Sequence, residues 1–142
     1  MTRRDVESMR LHAAEALPDE CCGLLVGTVD PQGLRVLEVR RAANVWEGDR
    51  HRRFLIDPRL QLQAQRQARA RGLDVVGAYH SHPEGPAVPS AFDKARAFAG
   101  FCHVIVTPPA GDGGGETRCW RFDEAGDEFV ECSLEIEEDG GA

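Results

Sequence analysis

The chain has 142 residues, 42% of them hydrophobic and 29% charged, which suits one domain around one core and excludes wholesale disorder. Its net charge of −7 argues against nucleic acid as a partner, because phosphate binding needs a basic face. No apolar run approaches the roughly 20 residues that cross a bilayer, and the basic start Met1-Thr2-Arg3-Arg4 leads into no secretory hydrophobic region. No membrane partner and a cytoplasmic setting are therefore expected. Part of the acidity lies in Glu135-Ile136-Glu137-Glu138-Asp139.

Val6, Met9, Ala13 and Leu17 recur at helical spacing and predict an amphipathic first helix ending before Pro18. Cys21 to Val29 is apolar and predicts a buried strand. The turn Asp30-Pro31-Gln32-Gly33 joins it to a second strand around Leu34 to Val39. Asn44 to Arg53 is polar and irregular, and Phe54-Leu55-Ile56 predicts a short strand. Asp57-Pro58 combines a cap with proline at the first helical position, opening a helix that ends near Gly72. Leu73 to His82 is β-rich, and Pro83 to Pro89 is a proline-constrained loop. Ser90 to Phe98 predicts a helix and Cys102 to Thr107 a strand. A glycine-rich loop, Gly111 to Gly115, precedes two last strands, Thr117 to Phe122 and Glu128 to Ile136.

The predicted order is α-β-β-β-α-β-α-β-β-β, an α/β mixed sheet flanked by helices. One domain over 1–137 is expected, with 138–142 a flexible acidic and glycine-bearing tail. The chain has five cysteines, an odd number, with Cys21 and Cys22 adjacent in an apolar run and no Cys-x-x-Cys pair. Reduced, mostly buried thiols fit this pattern better than a disulfide framework or a thiolate zinc site.

The chemistry concentrates in Val75-Val76-Gly77-Ala78-Tyr79-His80-Ser81-His82-Pro83. Residues two apart on a strand share a face, so both imidazoles project together, and Pro83 ends the strand beside a loop. Neutral histidine is a common zinc ligand, and two histidines plus a carboxylate leave a fourth position for water. Asp93, in the first turn of the next helix, is the candidate carboxylate. Simpler explanations stand beside this one. The histidines also read as surface polar residues at a strand end, and Ser90-Ala91-Phe92-Asp93 is a capping-box pattern that needs no metal.

His80-Ser81-His82, seven residues, Ser90, two residues and Asp93 resembles the signature of the JAMM (MPN-plus, Mov34/PAD-1) zinc metalloproteases, including the proline after the second histidine. Pro18-Asp19-Glu20-Cys21-Cys22-Gly23-Leu24-Leu25-Val26-Gly27 resembles the family's upstream glutamate segment in short bacterial members. The similarity extends over most of the chain, including Asn44 and Phe54 to Pro58. It implies a cytidine-deaminase-like fold and one zinc ion per chain held by His80, His82 and Asp93. It further implies Glu20 as the general base that passes a proton to the leaving amine, and Ser90 as a donor to the developing oxyanion. The implied substrates are C-terminal tails of ubiquitin-like sulfur carriers of the ThiS/MoaD type, or their conjugates, including release of a cysteine added to such a tail.

Two other classes remain. Metal-free MPN domains serve as binding scaffolds, but they lose the histidines or the aspartate. A zinc deaminase needs His-x-Glu and Pro-Cys-x-x-Cys, neither of which occurs. Lesser features read as structural. Ser81 faces away from the histidines, His103 belongs to a core strand, His12 is a surface histidine on the first helix, and Cys21 and Cys22 pack. His51 with Arg50, Arg52 and Arg53 forms a solvated basic cluster, and Trp46 and Trp120 pack in the core or at a rim.

Overall fold

A computed structural model describes residues 1–96, 101–109 and 115–138. Thr2 caps the first helix, α1 (Arg3–Ala16). Its hydroxyl accepts from the Asp5 amide at 3.2 Å while its own amide donates to Asp5 Oδ2 at 3.3 Å. This reciprocal cap starts the helix before its first apolar residue. The buried stripe is Val6, Met9 and Ala13.

Strands β1 (Cys22–Asp30) and β2 (Gly33–Ala42) form the expected hairpin. Asp30 Oδ1 accepts from the amides of Gln32 and Gly33 at 2.8 and 3.1 Å, and Gly33 supplies the positive φ of +139° that closes the turn. Asp57 caps α2 (Pro58–Ala70), which buries Ala64 and Ala68. Then come β3 (Asp74–Ser81), α3 (Ala91–Ala95), β4 (Cys102–Val106), β5 (Thr117–Asp123) and β6 (Glu128–Cys132).

Three expectations need correction or bounding. Phe54-Leu55-Ile56 is not a strand. The Leu55 carbonyl accepts from the Val45 amide and its own amide donates to Asn44 Oδ1, rather than pairing with a neighbouring strand, so the order has one strand fewer than predicted. The last strand ends at Cys132, four residues before Ile136. The third helix is capped by Arg96. Ala97 and Phe98, Gly111 to Gly114, and Asp139 to Ala142 lie outside the described residues.

The six strands form one sheet in the order β2-β1-β3-β4-β5-β6, with β3 and β4 parallel and every other pair antiparallel. The β1–β3 register slips between Leu25↔Gly77 and Val26↔Val75, leaving Val76 as the extra residue of a bulge. Such an insertion reverses which residues face which side. Beyond it, Tyr79 points into the core under α1 with Met9, Leu25, Val104 and Val106, while Ala78 points to the α2 side with Cys22, Leu24 and Ile56. His80 follows Ala78 on that second face. No helix among the described residues is long and apolar enough to cross a membrane.

Candidate metal centre

Burying an imidazole and then using it requires that each ring nitrogen have a defined partner. His80 is 3% exposed and lies stacked on Phe54, ring centroids 4.5 Å apart. Its Nε2 stands 3.1 Å from His82 Nε2 and 3.2 Å from Asp93 Oδ2. His82 Nε2 is 3.3 Å from the same carboxylate oxygen. The other nitrogen of His82, Nδ1, lies 2.9 Å from the Pro86 carbonyl. That contact places the N–H on Nδ1 and turns the lone pair of Nε2 inward, the arrangement in which a histidine ligates. Trp120 donates to the Ala87 carbonyl at 3.0 Å and so fixes the proline loop that offers Pro86.

Asp93 satisfies both explanations that the sequence left open. Its amide donates to Ser90 Oγ at 3.0 Å and its Oδ2 accepts from the Ser90 amide at 2.8 Å, a complete capping box on α3. The same Oδ2 meets the two imidazoles. Burial would raise the Asp93 pKa, but its close contacts with the His80 and His82 rings outweigh it and hold the carboxyl below its ordinary value. Burial would likewise lower the His82 pKa, yet the Asp93 bond and the Pro86 carbonyl leave it raised. His80, His82 and Asp93 form the one group among the described residues with three ligating atoms close enough to hold a metal ion.

Glu20 precedes β1 and is 5% exposed. Ser81 donates its amide to the Cys21 carbonyl at 3.1 Å, and Cys22 stands opposite His80, so β1 and β3 bring Glu20 beside His82. Desolvation is the main reason its pKa rises to about 8; the His82 charge opposes that rise and Asp93 adds to it. Its backbone is pinned, with its amide donating to the Arg50 carbonyl at 2.7 Å and its carbonyl accepting from Asn44 Nδ2 at 3.0 Å.

Sequence reasoning gave Asn44 and Phe54 no role in the site. Besides Glu20, Asn44 Nδ2 donates to the Arg53 carbonyl at 3.0 Å, and its Oδ1 accepts from the amides of Trp46 and Leu55, both at 3.1 Å. One side chain thus ties Glu20 to the wall that carries Phe54. That wall continues as Trp46 edge-on to Phe92, with Arg53 over the Phe92 ring at 4.4 Å. The available signals were the family resemblance at Asn44 and Phe54 to Pro58 and an asparagine ahead of an irregular stretch.

Other candidates lie elsewhere. His12 is on the α1 side, its Nδ1 2.7 Å from the Tyr79 hydroxyl, with burial the main cause of its lowered pKa; it does not approach the metal centre. Ser81 Oγ accepts from the Cys21 amide at 2.8 Å, the structural bond expected of it. Cys21 and Cys22 are buried thiols with pKa values pushed up by desolvation to about 11 and about 12, which disfavours a nucleophilic role. His51 is paired with Asp19 at 3.5 Å and Asp49 at 3.8 Å.

Residues 2–123 match the family described as prokaryotic homologs of the JAB domain. The chain is 35% identical over 136 residues to a desampylase of Haloferax volcanii, covering 92% of this chain and 91% of the relative. It is 34% identical over 92 residues to a probable TtuB-protein conjugate cleaving protease of Thermus thermophilus, covering 65% of this chain and 58% of that one. A solution structure of a Desulfitobacterium hafniense protein superposes with a TM-score of 0.83 at 33% identity, covering 97% of this chain and 92% of that one. One from Salinibacter ruber gives 0.69 at 38% identity, with coverage of 99% and 92%.

Proposed function

We propose a function from one premise: this chain belongs to the prokaryotic JAB-domain family. It is a zinc-dependent metallopeptidase or isopeptidase that hydrolyses amide bonds at the C-terminal tails of ubiquitin-like sulfur carriers of the ThiS/MoaD type, or their conjugates, in the cytoplasm. The observation that carries this reading is the meeting of two imidazole Nε2 atoms and one carboxylate oxygen beside the buried carboxyl of Glu20. The donor set fits zinc. Tetrahedral ligands with bonds of about 2.0–2.1 Å stand roughly 3.3–3.4 Å apart, and the three atoms here are separated by 3.1, 3.2 and 3.3 Å.

When bound, zinc supplies a Lewis acid for the scissile carbonyl and a water that is nucleophilic near neutral pH. Glu20 takes the proton of the attacking water and delivers it to the leaving amine. Burial raises the Glu20 pKa in the metal-free protein, which makes its carboxylate a stronger base than a solvated one for that exchange. Ser90 Oγ already accepts from the Asp93 amide, so its own O–H is left to donate to the developing oxyanion. Phe54, stacked on His80, keeps water off that side of the ligand set. A binding scaffold would need none of these groups.

The names of the curated relatives, a desampylase and a protease cleaving TtuB-protein conjugates, support conjugates of a small protein's tail as substrates. The tail enters extended, pairing as an added strand beside the cleft. A narrow cleft at that point would favour small residues such as Gly-Gly at the cut.

The test is metal analysis of the purified protein, followed by incubation with sulfur carriers from the same genome that bear a C-terminal amide-linked extension. The expected result is one zinc ion per chain and cleavage at the carrier's last residue, both lost in His82→Ala. A protein that takes up no zinc, or cleavage that survives Glu20→Gln, would overturn the reading.

A further inference from the structure

Three cysteines remain unexplained by the site. By strand alternation Cys102 on β4, Cys119 on β5 and Cys132 on β6 share the α1 face, where Cys102 and Cys119 are buried and Cys132 packs against them from a partly exposed position. Cys119 is central. It stands directly opposite Cys132 in the β5–β6 register, and on its other side its Sγ is 3.1 Å from Cys102 Sγ. That second pair is diagonal, because Cys102 faces Arg121 and Cys119 faces Val104.

All three thiols line one cavity of about 610 Å³, together with Arg35 and Trp120. A molecule the size of hydrogen peroxide is far smaller than that space. The thiols also differ in acidity. Cys119 is lowered, first by its hydrogen bond with Cys102, then against the opposing effect of burial and with help from Cys132, whereas Cys102 is raised by the same bond. A thiolate flanked by thiol donors is the form that attacks peroxide.

We propose that Cys119 is a peroxide-reactive cysteine and that Cys102 resolves it, closing a Cys102–Cys119 disulfide on the side of the sheet away from the metal centre. The Cys119 sulfur attacks one peroxide oxygen, the O–O bond breaks, and hydroxide leaves and takes a proton to become water. Cys119 is then a sulfenic acid. The Cys102 sulfur attacks it, the S–O bond breaks, and the departing hydroxide takes the Cys102 proton as a second water. Two thiols are oxidised and one peroxide is reduced. The sulfurs need to approach by about 1 Å to reach bonding distance.

Cys21 and Cys22 serve as controls. Cys21 packs in the same α1-side core and Cys22 on the α2 side, and burial holds both protonated. The experiment treats the whole protein with stoichiometric hydrogen peroxide, denatures it, alkylates remaining thiols and maps peptides without reductant. The expected product links the Cys102 and Cys119 peptides with loss of the mass of two hydrogen atoms, and reductant restores both thiols. In Cys102→Ala the Cys119 sulfenic acid should persist long enough to be captured by a dione probe. Cys119 joined to Cys132 instead, sulfinic acid on Cys132 alone, or five thiols still alkylated would each overturn the proposal. The wild-type map decides even where a cysteine variant fails to fold.

Discussion

Successive residues of β3 serve opposite sides of the sheet under different physical demands. Tyr79 and Ser81 face α1, where the tyrosine is fully buried, its hydroxyl meets His12 at 2.7 Å and Ser81 ties β3 to Cys21. His80 and His82 face the other way and converge on Asp93. The α1 face joins each polar group to a partner that completes it, inside a core of Met9, Leu25, Val104 and Val106. The metal face gathers two imidazoles and a carboxylate on one point and leaves a buried acid beside them. One strand does both because side chains alternate, so stability and chemistry should separate by face.

The largest expected effect falls on the metal face. Glu20→Gln should lower amide hydrolysis by about 10²–10⁴-fold, the usual range for a lost general base, with zinc content unchanged; turnover assays and metal analysis on one preparation check this. On the α1 face, Leu25→Ala should destabilise by about 2–5 kcal/mol through the cavity it leaves. Denaturant titration measures that loss, and the turnover rate of the remaining folded protein should stay at the wild-type value. A large fall in turnover would break the separation.

The third prediction uses pH on the metal-free protein. Native Glu20 binds its proton more tightly than the unfolded chain does, so its contribution to stability is complete below pH 4.5 and is lost as pH rises through about 8. Glu20→Gln removes that slope. The variant should therefore gain stability relative to wild type across this interval, read as a growing difference in denaturation midpoint. A constant difference would mean that Glu20 is not desolvated. The smallest effect is Tyr79→Phe, which deletes the bond to His12 and should cost about 1 kcal/mol with no change in hydrolysis.

The histidine pair was legible because strand alternation is a local rule, and the helix start at Ser90 because a capping box spans only four residues. That Asp93 both caps and converges on the histidines required tertiary placement. Phe54-Leu55-Ile56 looked like a strand because three apolar residues in a row carry no sign of what they pack on. In the fold Phe54 covers His80 and Ile56 joins the α2-side core, while Asn44 takes the backbone bonds that a strand would make. The roles of Asn44 and Pro86 in the site were not legible because one acts through four bonds to backbone and the other through a carbonyl that every residue possesses. The thiol pair needed the register of β4 on β5, which composition does not encode.

The parallel pairing of β3 with β4 has a kinetic consequence. The β1–β2 hairpin can zip from its own turn, but β4 reaches β3 only after the longer connection between them, which carries α3, has closed. Contacts that close a long segment form more slowly than those that close a tight one. Asp93 rides on that connection, so it reaches His80 and His82 only when the crossover docks. His80, His82 and Asp93 are thereby kept apart in a partly folded chain and come together only once the sheet has closed.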